Sequence, residues 1–364
     1  MAKFSFRGSL DCLIAAVRPA RFGEGEPWSV ARLCAAVIVF AALTFSAHAA
    51  ERAFYAGKTI NVIVGEPPGG GADSYARLLS RHLARYIPGA PAVVVQNMPG
   101  AGTLKSVMYL NTTAPQDGTV IATFSSALIE EAVLAPQRVP VDFRKYAWIG
   151  NVSEDVRVCY VWGASGVKSF ADMRSRPRPL FWGATAPGTA GNADSAMLQN
   201  LFGVRIQQVQ GYAGSADKRL AVERREIDGD CGGWTAVPED WLKAKKINMM
   251  VRLSPTLVPG MDGAVPFGGD LTKDANERRL YDFLVAPERL GRLYMVSEKV
   301  PADRTALLRT AFDKMVADPA FRAEAAHARL LVTPMTGDDV ARQIAVLYAT
   351  PPEVVARAKA ILGQ

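Results

Sequence analysis

The residues best suited to chemistry lie close together, in the stretch Asn61 to Asp73, which reads NVIVGEPPGGGAD. A short apolar run (Val62, Ile63, Val64) gives way to Glu66, two prolines and three glycines. Apolar residues then return at helical spacing: Tyr75, Leu78, Leu79, Leu83. This is the pattern of a strand, a bare loop and a helix start. Gly69, Gly70 and Gly71 can take positive φ and let a ligand approach the backbone, while the helix behind them offers unpaired N–H groups and a partial positive charge. Such a turn suits an anion. A nucleotide loop would need Gly-Lys-Ser or Gly-Lys-Thr after the glycines, and neither follows. A plain tight turn is the usual use of glycine, but three in a row exceed what one turn needs.

The elements that must hold this loop alternate along the chain. Strand patterns at 60–64, 92–96 and 119–123 are each followed by a helical pattern, at 74–86, 103–111 and 127–134, and a second series of the same kind starts near Val156. It runs through strands at 158–162, 180–182, 206–210 and 227–231, with helices at 169–175, 193–202, 216–224 and 238–243. Such alternation predicts an α/β fold of two lobes, each a mostly parallel sheet flanked by helices. Ligands of such sheets sit at the carboxyl ends of the strands. A strand at 247–253 would carry the chain home, and helices at 304–316, 319–328 and 340–349 would complete the first lobe. The expected boundaries are 1–49 for a leader, 50–157 with 254–364 for the first lobe, and 158–253 for the second.

Composition narrows the classes. The chain has 364 residues, 49% apolar and 21% charged, with a formal net charge of +7. These are globular values, and long enough for two ordinary domains. The basic residues are dispersed, without a run of five Lys or Arg, which argues against a nucleic-acid partner. Near the N-terminus, Arg32 precedes an apolar run from Leu33 to Phe45 and then Ala47-His48-Ala49, the small-x-small pattern of a signal-peptidase site. Cleavage is expected after Ala49, with export to the periplasm. The long segment before the apolar run suggests a misassigned start or a non-essential extension. Removal of residues 1–49 takes away five basic and three acidic residues, so the charge falls from +7 to +5. Cys159 and Cys231 are then the remaining cysteines, and two cysteines in an exported chain suggest one disulfide; two buried thiols are the alternative.

IVGEPPGGGAD, VVVQNMPGAG, APQDG, WGATAPGTAGN, QGYAGSAD and EIDGDCGG, in this order and spacing, resemble the substrate-binding receptors of tripartite tricarboxylate transporters, the TctC or Bug family. The resemblance covers nearly all of the chain beyond the leader. It implies a type II periplasmic binding fold whose lobes close on a small organic carboxylate, held by main-chain N–H groups of one glycine-rich loop per lobe. Carried onto this sequence, the first loop is Pro67, Pro68, Gly69, Gly70, Gly71 and Asp73, and the second is Thr185, Ala186, Gly188 and Thr189. The implied partners are the membrane subunits of such a transporter, or a periplasmic sensor if the receptor signals instead. A monomer without cofactor is implied. Cys159 and Cys231 would fall side by side near the hinge.

Two positions depart from the family pattern. Glu66 stands where an aromatic residue is common, and Asn192 where a histidine is frequent. A carboxylate at the pocket mouth would disfavour a highly charged acid such as citrate relative to a monocarboxylate, or to a ligand that also carries an amine or polar group. Glu66 pointing to solvent is the competing reading. Asp73 reads first as a helix-start residue satisfying free N–H groups, worth roughly 0.5 to 2 kcal/mol. Ser125 and Ser126 either donate to the ligand or cap the next helix. Asp230 and Tyr212 are candidates for the cleft wall, and Trp234 either covers an apolar ligand or packs. Outside the leader the chain has only His82 and His327, neither beside a nucleophile motif, and no Cys or His pair at metal-ligand spacing. The expectation is a binder, neither enzyme nor metalloprotein.

Overall fold

The computed structural model describes residues 54–184, 190–212 and 215–363. The leader with its cleavage site, and Thr185, Ala186, Gly188 and Thr189 of the second glycine-bearing loop, lie outside the described residues.

The chain opens with β1 (Thr59–Val64) and α1 (Gly71–His82), then β2 (Ala92–Asn97), α2 (Leu104–Thr112), β3 (Val120–Thr123), α3 (Ala127–Leu134) and β4 (Ala147–Asn151). It continues with β5 (Arg157–Trp162), α4 (Phe170–Ser175), β6 (Leu180–Gly183), α5 (Ala190–Asn200), β7 (Ile206–Val209), α6 (Ser215–Glu223), β8 (Gly229–Gly233), α7 (Glu239–Lys243) and β9 (Ile247–Arg252). The return comprises α8 (Ala275–Leu284), α9 (Ala286–Arg289), β10 (Leu293–Val296), α10 (Ala302–Ala317), α11 (Pro319–His327), β11 (Met335–Thr336), α12 (Gly337–Tyr348) and α13 (Pro352–Leu362).

Two sheets result, ordered β11-β4-β10-β3-β1-β2 and β7-β6-β8-β5-β9. β1 lies between β2 and β3 and is parallel to both, with Ile63 opposite Gln96 on one side and Ala122 on the other. Its alternation decides what it packs against. Ile60, Val62 and Val64 join a core with α1 and with Phe312 of α10, while Ile63 joins Val107 and Leu110 of α2 on the other face. A strand covered on both faces has no solvent side, hence its unbroken apolar run from Val62 to Val64.

The sheets are mixed rather than mostly parallel. β10 runs antiparallel to β3 and β4, and β5 antiparallel to β8 and β9. These strands sit where the chain passes between the sheets. β5 enters the second sheet directly from β4, without the helical crossover that a parallel neighbour needs. Further hydrogen bonds tie the two passages together: Glu154 accepts from the hydroxyls of Ser254 at 2.8 Å and Thr256 at 2.9 Å.

One core cluster runs through both sheets, from Ile63 and Trp148 to Cys159, Trp182 and Leu198, and on through Tyr281 of α8 and Val354 of α13. The last helix packs against α3, α5 and α8, and Asn200 Nδ2 donates to the carbonyl of Ile361 at 2.7 Å. Cys159 and Cys231 stand directly opposite in β5 and β8, with Cα atoms 4.1 Å apart and the sulfurs bonded.

Candidate functional site

A cleft of about 1240 Å³ opens at the carboxyl ends of β1 and β3. The loop after β1 contributes Glu66, the turn before α2 contributes Gly102 and Thr103, and the turn before α3 contributes Ser125 and Ser126. Asp155 comes from the first passage, Asn192 from α5, and Glu288 and Arg292 from the returning segment. The strand geometry requires close packing here. A Cβ on Gly65 would stand 2.6 Å from Ser106 Oγ and 2.9 Å from Thr103 Cβ, so only glycine lets the end of β1 meet α2.

The glycine loop is built differently from the sequence expectation in one respect. α1 begins at Gly71, three residues before Ser74, so Gly71, Ala72 and Asp73 form its first turn. Gly70 enters this turn in an extended conformation, and no side chain caps the helix. Asp73 closes the loop ahead of the helix instead. One of its carboxylate oxygens accepts from the Gly69 N–H and from Arg77 Nε, both at 2.9 Å, and the other accepts from Asn97 Nδ2 at 3.0 Å. The hydrogen bond from Arg77 is the main reason that its pKa falls to about 2, with burial opposing. Asp73 is thus a buried loop brace whose oxygens are occupied by the protein. Pro67, Pro68, Gly69, Gly70 and Gly71 are exposed and are not among the residues that line the cleft.

Glu66 lines the cleft and is half-buried. Its carboxyl lies over the loop, with Oε2 3.8 Å from where a Cβ on Gly70 would be. Burial raises its pKa, Arg292 lowers it and Asp155 raises it further. Ser125 and Ser126 also line the cleft. The Ser126 hydroxyl donates to the Pro287 carbonyl at 2.5 Å, tying α3 to the returning segment and leaving the oxygen as an acceptor. Neither serine side chain caps α3; the Ser125 N–H itself donates to Thr103 Oγ1 at 3.3 Å. Asn192 lies in the first turn of α5, and its Oδ1 is 3.4 Å from the Gln210 amide.

Three other expected residues pack within or against the core of the second sheet. Asp230 is buried and accepts from Lys218 Nζ at 2.6 Å; burial raises its pKa and Lys218 lowers it. Trp234 is buried in a cluster with Val156, Tyr160 and Trp241, and Tyr212 packs on the edge of that cluster. None of the three lines the cleft. His82 is buried and pairs with Glu324 at 2.6 Å, and His327 is exposed at the end of α11. Among the described residues no group of three or more His, Cys, Asp or Glu side chains is placed to hold a metal ion.

The sequence reading missed a charged network beside the cleft, of which Asp155, Glu288 and Arg292 line it. Arg157 Nε donates to Asp194 Oδ2 at 2.8 Å, stands 3.4 Å from Glu288 Oε1, and has Nη1 3.5 Å from Asp155 Oδ2. Burial depresses the guanidinium's pKa, but Asp194, Asp155 and Glu288 more than reverse it. Burial together with Asp194 lifts the Glu288 carboxyl well above the usual range, with Arg157 opposing. Arg292 completes the set, 3.7 Å from Asp155. One signal was readable: Arg157 opens a strand whose next five residues are Val, Cys, Tyr, Val and Trp, and a charge on a buried strand must have partners.

Two α/β sheets joined by strand passages, with a cleft at the strand ends, define the fold class as that of the two-lobed periplasmic binding proteins. Solved structures share it: a TctC solute-binding protein from Polaromonas (TM-score 0.66, 17% identity, covering 85% of this chain and 99% of that one) and the periplasmic binding protein BugD (TM-score 0.61, 16% identity, 84% and 98%). A third is MatC from Rhodopseudomonas palustris with bound malate (TM-score 0.58, 16% identity, 84% and 99%). At these identities the likeness establishes the fold. Among curated proteins, a UPF0065 protein of Pseudomonas sp. from the tcbD-tcbE intergenic region is 28% identical over 184 residues. That match spans 49% of this chain and about half, 53%, of the relative's length. No family model matches the chain.

Proposed function

We propose that this protein is an extracytoplasmic receptor that captures a small organic carboxylate between its two lobes and presents it to the membrane subunits of a tripartite tricarboxylate-type transporter. The observation that carries this reading is the cleft itself, set at the ends of β1 and β3 beside the uncapped start of α1. An uncapped helix start offers N–H donors to an anion. The shared fold adds support, since one neighbour was solved with malate and another, from R. palustris, with adipate.

In this reading the open form offers the ligand one loop and the closed form offers two, from the N–H groups at Gly70 and Gly71, that of Gly69 being held by Asp73, and from the second loop at 185–189. Contact made only on closure shifts the population toward the closed form. Micromolar affinity requires about 8 kcal/mol, within reach of several charge-assisted hydrogen bonds. The protein acts as a binder and leaves its ligand chemically unchanged.

The test is a thermal-shift screen of mono-, di- and tricarboxylic acids at one pH. Stabilisation by several degrees with at least one acid is the expected result. A flat response across the panel would remove the carboxylate reading.

A further inference from the structure

Arg292 has the attributes of a ligand contact that no loop motif announces. Its backbone is fixed, because its N–H donates to Asn151 Oδ1 at 2.7 Å and its carbonyl accepts from the Val152 N–H at 2.9 Å. The guanidinium lies 5.4 Å from the centre of the Tyr75 ring, with Nη1 donating to the Gly291 carbonyl at 2.6 Å. Nη2 reaches the start of α1, 3.0 Å from where a Cβ on Gly71 would be. The side chain is 21% exposed and lines the cleft. Its carboxylate neighbour Asp155 is 3.7 Å away, beyond hydrogen-bond reach, and among the described residues no acceptor meets its buried Nε.

The contrast with Arg157 is informative. Arg157 is buried and engaged by Asp194, Asp155 and Glu288, so its charge is spent within the protein. Arg292 is held on rigid backbone beside the glycine loop with donors to spare, and a guanidinium presents paired N–H groups that match a carboxylate.

We propose that Arg292 is a specificity-determining residue, whose guanidinium binds one carboxylate of the ligand beside the main-chain donors of the glycine loop. This rests on the carboxylate reading above and deepens it: recognition becomes a side-chain ion pair as well as a main-chain cradle. A side chain at position 71 would press on the guanidinium, with a Cβ 3.0 Å from Nη2.

The experiment is calorimetric titration of the full chain with succinate, glutarate, adipate and malate, each compared with its monoamide, for the wild type, Arg292→Met, Arg292→Lys and Lys314→Met. Lys314 is exposed on α10 outside the cleft lining and serves as the control cation. Arg292→Met is expected to weaken each acid that the wild type binds by about ten- to a hundredfold, the range for losing a charge-assisted contact. It should also abolish the preference of acid over amide. Arg292→Lys should retain part of both, and Lys314→Met should retain both. Equal affinity in Arg292→Met and wild type overturns the proposal, as does an equal loss for acids and amides, or a loss of the same size in Lys314→Met. If the wild type binds none of the four acids, the carboxylate reading fails and this inference falls with it.

Discussion

Two carboxylates of the first loop have opposite characters, and the difference is set by their partners. Asp73 is surrounded by donors and its pKa is lowered to about 2. A group depressed in this way contributes stability that is present above its ordinary value of 3.8 and disappears as pH falls through about 2. Asp73→Asn should therefore destabilise the protein by about 1 to 3 kcal/mol at pH 6. The gap to wild type should close near pH 2, as measured by denaturant titration across that range. A gap independent of pH would show that the carboxylate's charge is not what braces the loop. Glu66, in contrast, is lifted by burial with only partial relief from Arg292, so its ionised form costs stability at neutral pH. Glu66→Gln is expected to leave the free protein at least as stable and to move the carboxylate ranking toward di- and tricarboxylates. An unchanged ranking in the thermal-shift panel would assign Glu66 no part in selection.

Among the elements, β5 and β8 carry the clearest consequence. The bond between Cys159 and Cys231 closes a sequence separation of 72 residues, and in the chain-entropy account a loop of that length is worth about 4 kcal/mol. Reduction, or replacement of both cysteines by alanine, should lower stability by several kcal/mol. Titration of the denatured, unreduced protein should find no free thiol; two would refute the bridge in solution. The elements also show how far sequence reasoning reaches. Strand and helix alternation was legible through β3 and again from β5 to β9, because these strands, β8 (Gly-Asp-Cys-Gly-Gly) excepted, carry compact β-branched or aromatic residues between turn residues. β4, β10 and β11 were not foreseen: β11 is two residues long, and β4 and β10 pair antiparallel with each other, outside the parallel alternation that was followed. The early starts of α1 and α5 were missed because Gly71 and Gly191 read as loop residues. The charged network escaped for another reason: its members come from the first passage, β5, α5 and the return, and no local spacing records a meeting made by tertiary structure.

For the whole molecule, the architecture followed from motif order, whereas the mixed direction of the strands did not. Strand direction depends on where the chain passes between sheets, and the residues of β5 or β10 carry no mark of it. The wall of the cleft is likewise a property of the assembled chain. Arg292 lies more than 200 residues from Glu66 in sequence, yet both act on the same loop.

The final helix has a practical consequence. α13 touches helices that flank both sheets, and Lys359, Leu362 and Gly363 at its end form part of the cleft wall. A chain cut before Pro352 would keep every strand and every mouth loop but lose that wall. Conversely, a fluorophore attached near this end of α13 would sit at the cavity's edge. The end of α13 is thus a natural place for an optical reporter of occupancy, and a poor one for a bulky group.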